Sequence, residues 1–168
     1  VDDEKARLSG YETITYTNNS PDPLTYLWVQ LDQNMRARDS KTPLINGSGF
    51  GPATTPSRVA GSYLKERFDG GFNIQEVSGV DGKPLAHMIN RTMMRVELPV
   101  TLNKGDKFSF NIKWWYNINN YMTDRGRSGF EIFDDGNTAY VIAQFHPRLA
   151  VYNNVEGWQN LQFWGSSE

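Results

Sequence analysis

Hydrophobic and polar residues alternate with a period of two over most of this chain, in short runs separated by Gly, Pro, Asn and Asp. Side chains on a β-strand point alternately to its two faces, so such runs predict half-buried strands. Five are predicted, near residues 8–17, 24–31, 92–98, 107–115 and 139–145, with a shorter one in "FNIQEV" from Phe72. In the first, Ile14 and Tyr16 share a side; in the third, Met94, Val96 and Leu98 oppose Met93, Arg95 and Glu97. In the fourth, Phe108, Phe110, Ile112 and Trp114 share one face. "LTYLWVQL" (Leu24–Leu31) is apolar on both faces, which predicts a strand covered on both sides.

Turn residues punctuate these runs. "NNSPDP" (Asn18–Pro23) cannot extend a ladder. The Asp-Gly pair of "VDGK" (Val80–Lys83) suits a type I′ hairpin turn, "NKGD" closes another hairpin, and Asp135-Gly136-Asn137 divides two apolar runs. From Asp32 to about Gly61 the pattern lapses into polar residues with Gly, Pro, Ser and Thr. A connection of that length is either functional or mobile. No amphipathic helix longer than two turns, internal repeat or charge run is evident. The expectation is an all-β fold in a single domain over residues 1–168, long enough to bury roughly 70 % of its surface.

A net charge of −2 with scattered basic residues leaves no electrostatic footprint for nucleic acid; the Arg91–Arg95 and Arg125–Arg127 pairs are too small to form a patch. Mean hydropathy is −0.60, and no run approaches the ~20 apolar residues of a membrane-spanning helix. No signal-peptide pattern is present, and the opening at Val1 rather than Met is compatible with removal of a leader.

Few residues suit catalysis. With no cysteine there is no thiol nucleophile, disulfide or zinc ribbon. The two histidines, His87 and His146, lie far apart, short of the three ligands a catalytic zinc needs, and H-E-x-x-H, G-x-S-x-G and Walker motifs are absent. Glu131, Asp134 and Asp135 read as solvated turn residues. Five tryptophans offer either a sugar-stacking platform or ordinary sheet and interface packing, and the adjacent Trp114 and Trp115 must point to opposite faces. N-x-S/T triplets at Asn18, Asn46 and Asn90 are acceptors only in a glycosylating pathway. Gln144 stands out as a single amide near the end of the apolar run "YVIAQF", just before His146-Pro147-Arg148, where an exposed polar side chain suits substrate binding.

Three stretches, in order along most of the chain, resemble the N-terminal β-domain of zinc aminopeptidases, the gluzincin relatives of aminopeptidase N and the leukotriene hydrolase/aminopeptidase. "GYETITYTNNSPDPLTYLWVQLDQN" (Gly10–Asn34) is similar to that family's strand, NNSPD turn and L-x-Y-L-W-x-x-L-x-x-N strand. "TMMRVELPVTLNKGDKFSFNIKWWYNI" is similar to its next hairpin, with Asn103-Lys104-Gly105 in place of the usual Pro-Gly. "QFHPRLAVYNNVEGWQNLQFWG" resembles Q-x-x-P-R-x-A-V-Y-D-x-x-G-W, with Asn153 where Asp is common.

The resemblance implies a saddle-like arrangement of mixed or antiparallel multi-stranded sheets, truncated at both ends, in a fragment of a larger protein. It implies a non-catalytic domain, with no cofactor in this chain and zinc in a separate catalytic domain. The implied partners are that catalytic domain and the N-terminus of a peptide substrate. Gln144 is then the residue that reaches into the cleft to bind the substrate's α-amine, and Ile142, on the same strand face, lines the first side-chain pocket. Arg148 and Tyr152 are expected to be structural, as an ion pair and a packed ring. The similarity to exported bacterial forms favours an extracytoplasmic site. The alternative from the residues alone is a free-standing β-sandwich module that binds carbohydrate or protein. An H-E-x-x-H motif downstream in the gene separates the two.

Overall fold

The alternating pattern of the first and fourth runs makes the central pairing of the molecule. β1 (Arg7–Thr17) pairs antiparallel with a strand at Lys107–Asn117, in continuous register from Arg7 opposite Asn117 to Thr17 opposite Lys107. The structure, a computed structural model, describes residues 1–42, 53–63, 67–124 and 128–165.

Along the chain β1 is followed by β2 (Leu24–Gln30), a 3-10 turn (Asp32–Arg36), α1 (Pro56–Tyr63), β3 (Asn73–Gly79), β4 (His87–Asn90) and β5 (Met93–Leu102). Then come β6 (Lys107–Asn117), β7 (Gly129–Ile132), β8 (Thr138–Val141), β9 (Arg148–Leu149), β10 (Tyr152–Asn153) and β11 (Gly157–Trp158). A three-stranded sheet has the order β1-β6-β3 and a four-stranded sheet the order β4-β5-β2-β9. β7–β8 and β10–β11 are separate two-stranded pairs. The fold is all-β with several antiparallel sheets, and α1 is a short helix among the described residues. Every pairing between these strands is antiparallel, in keeping with the expectation of mixed or antiparallel sheets; a parallel contact occurs at the isolated bridge between Asn120 and Phe130.

One core draws on both main sheets. Leu27 and Val29 of β2 and Met94 and Val96 of β5 join Val77 of β3 and Phe110, Ile112, Trp114 and Tyr116 of β6. Several of these are wholly buried, each worth roughly 1.5–3 kcal/mol of apolar burial. β2 is not covered equally on its two sides, contrary to expectation. Leu27 and Val29 are sealed, whereas Tyr26, Trp28 and Gln30 are half-exposed, because the outer face of this sheet carries only partial cover such as the Arg95 guanidinium over Tyr26 at 3.9 Å.

The hairpin turns follow glycine position rather than the type I′ rule. At Gly79–Gly82 the Gly82 N–H donates to the Gly79 carbonyl at 2.9 Å, and Gly82 alone has a positive φ, 79°. The Asp81 carboxylate accepts from Lys83 N–H at 3.1 Å, so a type I turn followed by a left-handed glycine replaces the expected type I′. Phe133–Gly136 repeats this design, with Gly136 at φ 83° and Asp135 accepting from Asn137 N–H.

Within the polar stretch after β2 the structure differs from the expected lack of regularity. α1 has Pro56 at its first position, where the missing N–H costs nothing, and Val59 N–H donates to the Thr55 carbonyl. Asn46 and residues 43–52 lie outside the described residues. The expected strand over 139–145 is also corrected: β8 ends at Val141, and an irregular turn follows as far as Pro147.

Candidate functional site

The turn after β8 contains both residues singled out for substrate binding, and side chains from three other segments hold its backbone. Ser128 Oγ accepts from Ala143 N–H at 3.0 Å. Gln33 Nε2 donates to the carbonyls of Ala143 at 2.7 Å and Gln144 at 3.3 Å. Tyr116 Oη donates to the Phe145 carbonyl at 3.2 Å. These bonds replace the ladder partners a continuing strand would have used, which is the physical reason the strand stops early.

Between these ties Gln144 adopts a left-handed backbone, φ 49°, a region that disfavours residues with a Cβ. Its side chain is half-buried and makes no hydrogen bond among the described residues. It therefore does not cap the strand end by bonding nearby backbone. An uncommitted amide has both a donor and an acceptor to offer a ligand. Ile142, half-buried, packs against the core; with the strand ended, it and Gln144 do not share a strand face.

Beyond Gln144, His146 Nδ1 lies 2.8 Å from the Pro147 carbonyl. A carbonyl oxygen only accepts, so Nδ1 carries the proton. The same nitrogen is 3.3 Å from Glu12 Oε2. Glu12 occupies the inward phase of β1 with Leu8, Ile14 and Tyr16, and its other oxygen, Oε1, is buried without a hydrogen-bond partner. The Trp114 indole N–H faces this carboxylate without a well-formed bond. Burial pushes the Glu12 carboxyl above its ordinary range, and His146 partly opposes the shift.

The 3-10 turn after β2 is a polar hub for the region. Asp32 pairs with Arg148, Gln33 holds the turn at 143–144, and Asn34 accepts from Phe72 N–H at 2.7 Å and donates to the Arg91 carbonyl. Arg36 donates to Asn119, which is buried and donates to the carbonyls of Asp124 and Ser128. Burial among these groups raises the Tyr116 phenol well above its ordinary range, so it stays a donor to Phe145.

Other expectations sort clearly. Arg148 forms an ion pair with the buried Asp32, and Tyr152 packs edge-on to Trp158, with ring centroids 5.1 Å apart, while its hydroxyl donates to Asp22. Trp114 is buried and Trp115, on the opposite face, lies under the Arg7 guanidinium at 3.8 Å. Trp158 is flanked by Tyr16 and Tyr152. Asn18 is fully buried, donating to the carbonyls of Asp22 and Leu102, so its triplet is no accessible acceptor in the folded chain. Among the described residues no three His, Asp or Glu side chains gather as a metal site, and no helix is long and apolar enough to cross a membrane.

Sequence reasoning missed Glu12, Gln33 and Tyr116 as parts of this site. Glu12 carried a signal, a carboxylate in phase with an apolar strand face. Gln33, inside a polar stretch, carried none. The sequence matches no protein-family model and no curated protein.

Proposed function

We propose that this chain is the non-catalytic N-terminal β-domain of a zinc aminopeptidase. In this reading it shapes the substrate cleft beside a zinc-bearing catalytic domain and binds the N-terminus of the peptide through Gln144, with Ile142 bordering the first side-chain pocket. The observation that carries the reading is the state of Gln144: a non-glycine residue in a left-handed conformation, braced on both sides, with its amide unused. Strained backbone persists only where its surroundings enforce it, and it clusters at ligand clamps. An amide oxygen accepts from an α-ammonium while its N–H2 donates to a carbonyl, which suits recognition of a free peptide N-terminus. The three resembling stretches supply the reaction class. The rival reading, a sugar-binding module, has less support, since the faces of Trp115 and Trp158 are occupied by neighbouring side chains.

The gene offers the direct test. An H-E-x-x-H helix encoded downstream, and zinc-dependent release of N-terminal residues from peptides by the whole product, are the expected results. A coding sequence without a metallopeptidase domain overturns the proposal.

A further inference from the structure

The inward face of β1 reads Leu8, Gly10, Glu12, Ile14 and Tyr16, so one charged residue sits where the pattern calls for an apolar one. Its position opposite Ile112 and beside Trp114 is poor for a carboxylate. The side chain is only 22 % exposed, Oε1 is buried without a partner, and Oε2 has the single ionic contact with His146. Leucine there would satisfy the strand pattern and remove the desolvation cost. Something other than sheet stability uses this glutamate.

The turn it touches shows what that is. Ser128, Gln33 and Tyr116 secure the turn at residues 143, 144 and 145. At residue 146 the imidazole donates to the Pro147 carbonyl and meets the Phe145 ring edge-on at 4.6 Å. The Phe145 ring belongs to the turn, and the buried Pro147 leads into β9, which is paired with β2, so neither partner ties His146 to β1. Glu12 is the contact that ties His146 to β1.

We propose that Glu12 is a positioning residue: through His146 it clamps the C-terminal side of the Gln144 turn to β1, at a cost in stability to the sheet. What the clamped turn is for rests on the reading proposed above, but the clamp itself is a property of this chain and is measurable in it alone.

The experiment compares wild type, Glu12→Leu, Glu12→Gln and His146→Phe by thermal unfolding and by backbone NMR order parameters. In wild type, Gln144, Phe145 and His146 should be rigid, with order parameters of about 0.85. Glu12→Leu should melt at or above the wild-type temperature while these three residues fall below about 0.6 and Phe110 and Ile112 stay rigid. Glu12→Gln, whose amide oxygen still accepts from Nδ1–H, should keep the turn ordered. His146→Phe, which leaves β1 intact, should loosen the turn as Glu12→Leu does. Unchanged order parameters at the turn in Glu12→Leu or in His146→Phe overturn the proposal. A lowered melting temperature in Glu12→Leu with loosening spread over the core, or failure of that variant to fold, also overturns it, because Glu12 would then be a structural residue. None of these outcomes bears on peptide binding, which the kinetics of Gln144 variants test separately.

Discussion

The Gln33 side chain donates to the Ala143 carbonyl at 2.7 Å, joining the end of β2 to the turn after β8. Gln33 is buried, and the same nitrogen reaches the Gln144 carbonyl. Gln33→Leu leaves these acceptors without their donor, which should lower unfolding stability by about 1–3 kcal/mol. Urea denaturation measures it, and an unchanged midpoint would show that the tie is dispensable.

Asp32 is buried and pairs with Arg148, whose side chain is 43 % exposed. Arg148→Ala strands the carboxylate, but water reaching the guanidinium's place softens the penalty to about 1–3 kcal/mol. Asp32→Asn in the Arg148→Ala background should recover part of that loss. Equal stability of the single and double variants would refute the ion-pair account.

Gly10 lies under the Trp114 indole. A Cβ at this position would come within 2.3 Å of Trp114 Cζ2, and that ring is held by Phe72 edge-on at 5.3 Å and by Tyr116 stacked at 5.6 Å. With no room for the ring to yield, Gly10→Ala should cost about 1–3 kcal/mol, readable as a lower melting temperature.

Glu12 makes stability depend on pH in a definite sense. Its folded carboxyl titrates above the ordinary value of 4.5, so its contribution is fully present below that value and is lost as pH rises through the raised one. Glu12→Gln removes the titration. The melting temperature of the variant minus that of wild type should therefore grow with pH across this window. A difference that stays constant, or shrinks, contradicts the direction of the shift.

On the proposed function, Gln144 is the residue of the turn that binds substrate. In the whole protein, Gln144→Ala should remove a hydrogen bond to a charged group worth about 1.5–3 kcal/mol, a fall of roughly ten- to a hundred-fold in kcat/KM. Folding stability should barely move, since the side chain has no hydrogen bond to lose. Gln144→Gly should lose the same activity yet gain up to about 1 kcal/mol in stability, because glycine relieves the left-handed backbone. Unchanged kinetics with lowered stability would make Gln144 a structural amide.

The sequence by itself determined the main strands β1, β2, β3, β5 and β6. Period-two alternation is a property of neighbouring residues, so Phe110, Ile112 and Trp114, or Met94 and Val96, declare a buried face before any partner is known. Glycine after Asp, at Gly82 and Gly136, likewise marked where the chain turns, though the form of the turn at Gly82 differed. Tertiary structure decided where β8 stops and what Gln144 is free to do. The run from Tyr140 looks like strand as far as Phe145. It ends at Val141 because Ser128, Gln33 and Tyr116, brought in from three distant segments, take over its backbone hydrogen bonds. The polar residues Asp32 to Arg36 resembled the start of a loose connection for the same reason: their partners are Arg148, Ala143, Phe72, Arg91 and Asn119, none of them near in sequence. Apolar side chains need only the inside of a sheet, which a local pattern can specify. A buried polar group needs one particular partner at hydrogen-bond distance, and only the folded chain supplies it.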